Sequence, residues 1–183
     1  MGKHIAIVDP FPRTLELIFS KDKFKILKSK YKLLYAPKNK KNFFYEKNIH
    51  KASFIIGQPD LPKNLLIKAK KLKAIINVES NFINNMDYQY CFKKGIHVIA
   101  TSPVFSKPVA EIALGMTLSL LRNIHTAHLD FIKGKEKYGL ESNLKASLLS
   151  EKKIGLLGFG DLAKSLYPLL LPFTKDINVY DPW

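Results

Sequence analysis

Seven short runs of β-branched and aliphatic residues punctuate the chain, at residues 4–8, 32–35, 53–56, 74–78, 96–100, 153–157 and 177–180. None of them alternates cleanly between apolar and polar positions, which is the pattern of strands covered on both faces in a parallel sheet. Parallel neighbours cannot be joined by a tight turn and need a crossover, usually helical. Apolar residues at helical spacing supply such crossovers near residues 13–19, 41–48, 62–70, 87–94, 107–133 and 161–171. Gly95 stands where the fourth of these needs a left-handed cap, and Ser106 with Pro108 suits the first turn of the fifth. The order is therefore βαβα, an α/β fold. Five strands before residue 101 form one open parallel sheet. The sixth run begins only at residue 153, so a boundary is expected near residues 101–106. Residues 1–102 would be one domain, and 103–183 a linker helix followed by the first βαβ of a second.

Composition fits a globular chain of 183 residues: 46% are hydrophobic and 11% aromatic, and mean hydropathy is −0.07. The longest apolar stretch, residues 112–121, is interrupted by Gly115, Thr117 and Ser119. It falls short of the roughly 20 residues a bilayer needs, so no transmembrane helix and no membrane partner are expected. At the N-terminus the run 5–8 stops at Asp9 and Pro10, too short for a signal-peptide core. Cys91 is the only cysteine. No internal disulfide can form, and a cytoplasmic location is expected.

The formal charge of +15 raises a nucleic-acid reading, but Arg13 and Arg122 are the only arginines and the other 28 basic residues are lysines. Guanidinium groups read guanine and phosphate bidentately, and their scarcity argues against a specific groove reader. Most of the excess lies in residues 1–94, on expected helix surfaces such as Lys21 to Lys30 and Lys68 to Lys73, where lysines form solvated faces.

The chemistry is carried by Ile154-Gly155-Leu156-Leu157-Gly158-Phe159-Gly160-Asp161-Leu162-Ala163, which passes from an expected strand into an expected helix. A dinucleotide fingerprint requires that context. Gly158 permits the tight turn, Gly160 removes a side chain where backbone must approach a pyrophosphate, and Ala163 is small enough for close helix and strand packing. Amides at the start of the helix, from Asp161, Leu162 and Ala163, would bind the pyrophosphate. Asp181 ends the next strand at the spacing of the acid that accepts ribose hydroxyls. Its charge would repel a 2′-phosphate, which favours NAD over NADP.

Further stretches join this motif in order. Leu72-Lys73-Ala74-Ile75-Ile76-Asn77 leads to Asn85-Met86-Asp87 and then to Gly95-Ile96-His97-Val98. Ser102-Pro103 precedes Val109-Ala110-Glu111 and Ala113-Leu114, and the glycine motif leads to Tyr180-Asp181-Pro182. Over residues 70–183 the chain resembles the D-isomer-specific 2-hydroxyacid dehydrogenases, the family of phosphoglycerate, formate and glycerate/hydroxypyruvate dehydrogenases. The resemblance implies a flavodoxin-like, doubly wound substrate domain over residues 1–102 and the beginning of a Rossmann NAD-binding domain over 103–183, with NAD between the two, and hydride transfer between NAD and a small 2-hydroxy or 2-keto acid. It also implies that Val78, Glu79 and Ser80 meet the substrate carboxylate through backbone amides, with Asn81 at the nicotinamide end of the cofactor. Members of the family usually carry glycine near Ser80 and Phe82, and this chain does not.

The arginine, histidine and acid that perform the family's chemistry lie downstream of the acidic strand end, and the chain stops two residues after Asp181. No catalytic residue is assigned: Arg122, His4, His50, His97, His125 and His128 match no family motif. The chain as given is expected to be an inactive N-terminal part, with a homodimer expected for the full-length form. His125 and His128 share a helix face without an evident third ligand, so no metal is expected. Cys91 reads as packing and Glu111 as structural. The alternatives are a non-enzymatic NAD-sensing or partner-binding protein on the same scaffold, like the corepressors that share the fold, and a basic nucleic-acid-associated protein.

Overall fold

Ile7, Ile55, Ile75 and Val98 stand side by side in four neighbouring strands, and this row is the spine of the first sheet. In the computed structural model, which describes residues 3–79 and 82–183, the strands are β1 (Ile5–Asp9), β2 (Lys32–Tyr35), β3 (Phe54–Gly57), β4 (Ala74–Ile76) and β5 (His97–Ile99). All pair in parallel in the order β2-β1-β3-β4-β5. The isoleucine row is sealed by Tyr45, Ile49, Leu61, Leu66 and Cys91, each buried side chain contributing about 1.5–3 kcal/mol by leaving water. Ala6, Val8 and Ile56, which point the other way, are buried too, as strands covered on both faces require.

The crossovers of this unit are α1 (Leu15–Ile18), α2 (Lys21–Lys30), α3 (Lys41–Asn48), α4 (Lys63–Leu66) and α5 (Tyr88–Lys93). Ser20 caps α2 by accepting from the Lys23 amide, and Asp87 caps α5 by accepting from the Tyr90 amide. The expected helix over 62–70 holds only through Leu66. Beyond it the amides of Lys68 and Ala69 reach back three residues to Leu65 and Leu66, a tightening that lets Ala69 and Leu72 turn into the core.

The chain divides into two compact units, Met1–Thr101 and Ser102–Trp183. In the second, α6 (Ser102–Leu121), α7 (Ile124–Ile132) and α8 (Gly139–Asn143) precede β6 (Ile154–Leu157), α9 (Asp161–Leu170) and β7 (Ile177–Tyr180). Strands β6 and β7 pair in parallel across α9, and α9 packs along α6.

Two expectations change here. The single helix expected over 107–133 is two, separated at Asn123, whose φ of 55° is a left-handed value asparagine tolerates. The first of them starts at Ser102, with Pro108 inside it at the cost of one backbone bond. Because α6 joins the 112–121 run to the residues before it, it reaches 20 residues at a hydropathy of 1.4 and is long and apolar enough to cross a membrane. The expectation of no such helix therefore fails on length and composition.

Where β1 and β3 end, the strands come unusually close. Gly57 pairs with Asp9 at a φ of 151°, and a β carbon on it would stand 2.2 Å from the Asp9 carbonyl oxygen. The Asp9 carboxylate is buried, taking Lys41 Nζ at 2.7 Å and the Tyr45 hydroxyl at 3.3 Å. Burial and the Asp9 charge push the Tyr45 phenol well above its ordinary range, so it remains a donor. Gly57→Ala should therefore destabilise the first unit by about 3 kcal/mol or more, read as a shift of the urea midpoint. An unchanged midpoint would mean that β1 and β3 part without cost.

Candidate functional site

Strand β6 ends at Leu157 and is followed by Gly158, whose φ of 87° strains any residue with a β carbon. Phe159 and Gly160 complete the turn, and Gly160 is the extended N-cap of α9. The first helical bond runs from the Lys164 amide to the Gly160 carbonyl at 2.9 Å. The amides of Asp161, Leu162 and Ala163 consequently have no acceptor within the helix, and the N-cap supplies no side-chain bond. Together with the helix dipole they make this turn attractive to an anion.

Gly160 has an ordinary φ of −73°, so its lack of a side chain is not conformational. A β carbon there would meet nothing within 4 Å, and neither would one at Gly158. The turn thus leaves open space beside three amides that have no acceptor among the described residues, which fits a pyrophosphate group. Val109 and Ala113 of α6 line a groove with Leu157, Gly158 and Leu162, about 220 Å³ in volume. That is below the roughly 300 Å³ at which small-molecule pockets begin, so this groove takes only part of a dinucleotide.

Asp181 sits at the far side of the same turn. Its Oδ2 accepts from the Phe159 amide at 2.6 Å and its Oδ1 from the Trp183 amide at 3.0 Å. The Gly158 amide donates to the Tyr180 carbonyl at 2.7 Å. The acid therefore ties the end of β7 to the glycine turn, a role its spacing did not reveal. Spacing also missed Ser102, whose hydroxyl donates to Asp161 Oδ2 at 2.5 Å across 59 residues.

In the first unit, Val78 is buried and Glu79 is engaged on every side. Its carboxylate receives Arg13 Nε at 2.8 Å and Nη2 at 3.0 Å. Its amide donates to Gln58 Oε1 at 3.1 Å, and its carbonyl accepts from the Thr101 hydroxyl at 3.2 Å. The hydrogen bond to Glu79 raises the Arg13 pKa further. The Glu79 amide, expected to meet a substrate carboxylate, is thus given to Gln58. Ser80 and Asn81 lie outside the described residues.

The remaining candidates are dispersed. His4 meets the Ser53 hydroxyl and His125 those of Ser119 and Thr126. Glu111 is exposed on α6 and Cys91 is buried. Burial and the charge of Asp87 push the Cys91 thiol up, away from nucleophilic use. Among the described residues no three His, Cys, Asp or Glu side chains gather as a metal site.

No family model matches the chain. Individual proteins do. Hydroxypyruvate reductase from Thermotoga maritima is 33% identical over 117 residues, which cover 64% of this chain and 37% of that protein. The crystal structure of a phosphoglycerate oxidoreductase from Rhizobium etli superposes with a TM-score of 0.80 at 43% identity, covering 99% of this chain and 57% of that one. An NAD-dependent formate dehydrogenase from Staphylococcus aureus in complex with NAD superposes at 0.67 with 25% identity, covering 97% and 56%. The chain thus spans between about a third and three fifths of the length of these proteins.

The two glycines of the turn should respond differently to substitution. Gly158→Ala forces a β carbon into a left-handed backbone and should cost about 1 kcal/mol. Gly160→Ala, with an ordinary φ and open space, should cost almost nothing. Hydrogen exchange of the β6 amides measures both. Equal losses would show that the turn does not depend on the positive φ of Gly158.

Proposed function

Because the chain belongs to the D-isomer-specific 2-hydroxyacid dehydrogenase family, we propose that its second unit binds NAD and its first presents a small 2-hydroxy or 2-keto acid. The observation that carries this reading is the β6 turn: a left-handed Gly158, an open Gly160, three amides without an acceptor among the described residues and Asp181 bonded to the turn itself. Gly158, Gly160 and the amides of Asp161, Leu162 and Ala163 would hold the pyrophosphate, and Asp181 the adenosine ribose. Bound there, NAD supplies the hydride acceptor or donor, while the chain contributes binding and orientation.

On the substrate side we assign the loop from Val78 through Glu79 and Ser80 to Asn81. Support comes from the anchoring of its described residues: Val78 is buried, and Arg13, Gln58 and Thr101 hold Glu79 at several atoms. The Arg13 pair neutralises the Glu79 carboxylate, so a substrate anion is not repelled there. Among the described residues no histidine is bonded to a carboxylate, so we assign no catalytic residue and expect these 183 residues to bind without turnover. Ile112, Met116, Leu120, Phe131 and Ile132 are large exposed apolar residues of α6 and α7, which supports a homodimer. The lone buried Cys91 suits a reducing cytoplasm.

Calorimetry with NAD and NADP tests the cofactor assignment. NADP should bind at least about tenfold more weakly, since its 2′-phosphate would face the Asp181 carboxylate. Asp181→Asn keeps an acceptor for the Phe159 amide but removes the charge, and should narrow the difference. NADP binding as tightly as NAD to the unmodified chain would overturn the reading.

A further inference from the structure

The pyrophosphate cradle contains a charge of the wrong sign. Asp161 is the first residue of α9, and its exposed carboxylate belongs to the same turn as the amides of Asp161, Leu162 and Ala163. A carboxylate is favourable at a helix N-terminus while no other anion is present. Against a pyrophosphate the same carboxylate is a repulsive neighbour. The structure shows what restrains it: Ser102, the first residue of α6, donates its hydroxyl to Asp161 Oδ2 at 2.5 Å. The starts of the two packed helices meet at this bond. The carboxylate is thereby drawn toward α6, and among the described residues no side chain caps the amides of α9.

We propose that Ser102 is a positioning residue for the cofactor: its hydroxyl holds the Asp161 carboxylate to the α6 side and so leaves the α9 amides to the pyrophosphate. The inference rests on the assignment of this turn to NAD. Without the hydroxyl, the Asp161 side chain gains rotamers in which its charge swings over its own helix start, where the N–H groups attract it. A bound pyrophosphate would then compete with the protein's own carboxylate. Ser102 is thus a specific requirement of having aspartate at position 161, and its importance should vanish when that charge is removed.

The test is calorimetric titration of the full chain with NAD, for the unmodified protein and for Ser102→Ala, Ser102→Thr, Asp161→Asn and the double variant Ser102→Ala/Asp161→Asn. Ser102→Ala should bind NAD roughly tenfold more weakly at low ionic strength. The loss should shrink at about 0.5 M salt, because an exposed repulsion is screened. Ser102→Thr keeps the hydroxyl and should bind as the unmodified chain does. The double variant should recover the affinity of Asp161→Asn alone, an outcome that simple damage to the start of α6 would not produce. Unchanged affinity in Ser102→Ala, or a double variant as weak as Ser102→Ala, would overturn the role given to Ser102 while leaving the NAD assignment intact. Failure of the unmodified chain to bind NAD would overturn that assignment, and this inference with it.

Discussion

A parallel strand pair cannot be closed by a tight turn, and that constraint shapes both units of this chain. Every crossover brings the backbone back to the same end of the sheet, so the loops that leave the strands gather at their carboxyl ends. In the first unit Asp9, Arg13, Gln58 and Glu79 collect there, joined by the pairs Arg13–Glu79 and Lys41–Asp9. The sheet order puts β1 and β3 side by side, with the chain leaving β1 toward one edge and β3 toward the other. This switch point is where Gly57 permits the close approach to Asp9. In the second unit the same geometry brings Gly158, Phe159 and Asp181 together.

Backbone groups, more than side chains, define the chemistry of the second unit. A turn that only glycine adopts without strain leads into a helix whose first amides lack acceptors. Two carboxylates border these amides, and each is restrained by a different donor. Asp181 is held by the Phe159 and Trp183 amides, and Asp161 by the Ser102 hydroxyl. On the proposed reading, a pyrophosphate beside two aspartates requires their charges to be kept aside, which would make the hydrogen bonds to these acids part of the site.

All seven strands were legible in the sequence, because short β-branched runs with no polar alternation have few other uses than a strand covered on both faces. Helix limits were less so. The apolar spacing continues from Leu120 through Ile124, so nothing in the periodicity marks the break that Asn123 makes with its left-handed φ. Pro108 suits the first turn of a helix yet lies well inside one, because packing of α6 on α9 outweighs one lost backbone bond. At the candidate site, the glycine turn and Asp181 could be found from spacing and context. Ser102–Asp161 and Arg13–Glu79, which join residues 59 and 66 apart, could not. Such pairs depend on how elements pack, which local pattern does not encode. For the same reason the Glu79 amide could be assigned to a ligand from sequence alone, although Gln58 takes it.

The central claim is that the strand, turn and helix around Gly158 bind the dinucleotide through backbone amides. Titrating the isotope-labelled chain with NAD and following each backbone amide by NMR tests it most directly. The largest shifts should fall on residues 158–163 and on Asp181. No shift at these amides, or shifts confined to the Met1–Thr101 unit, would contradict the account.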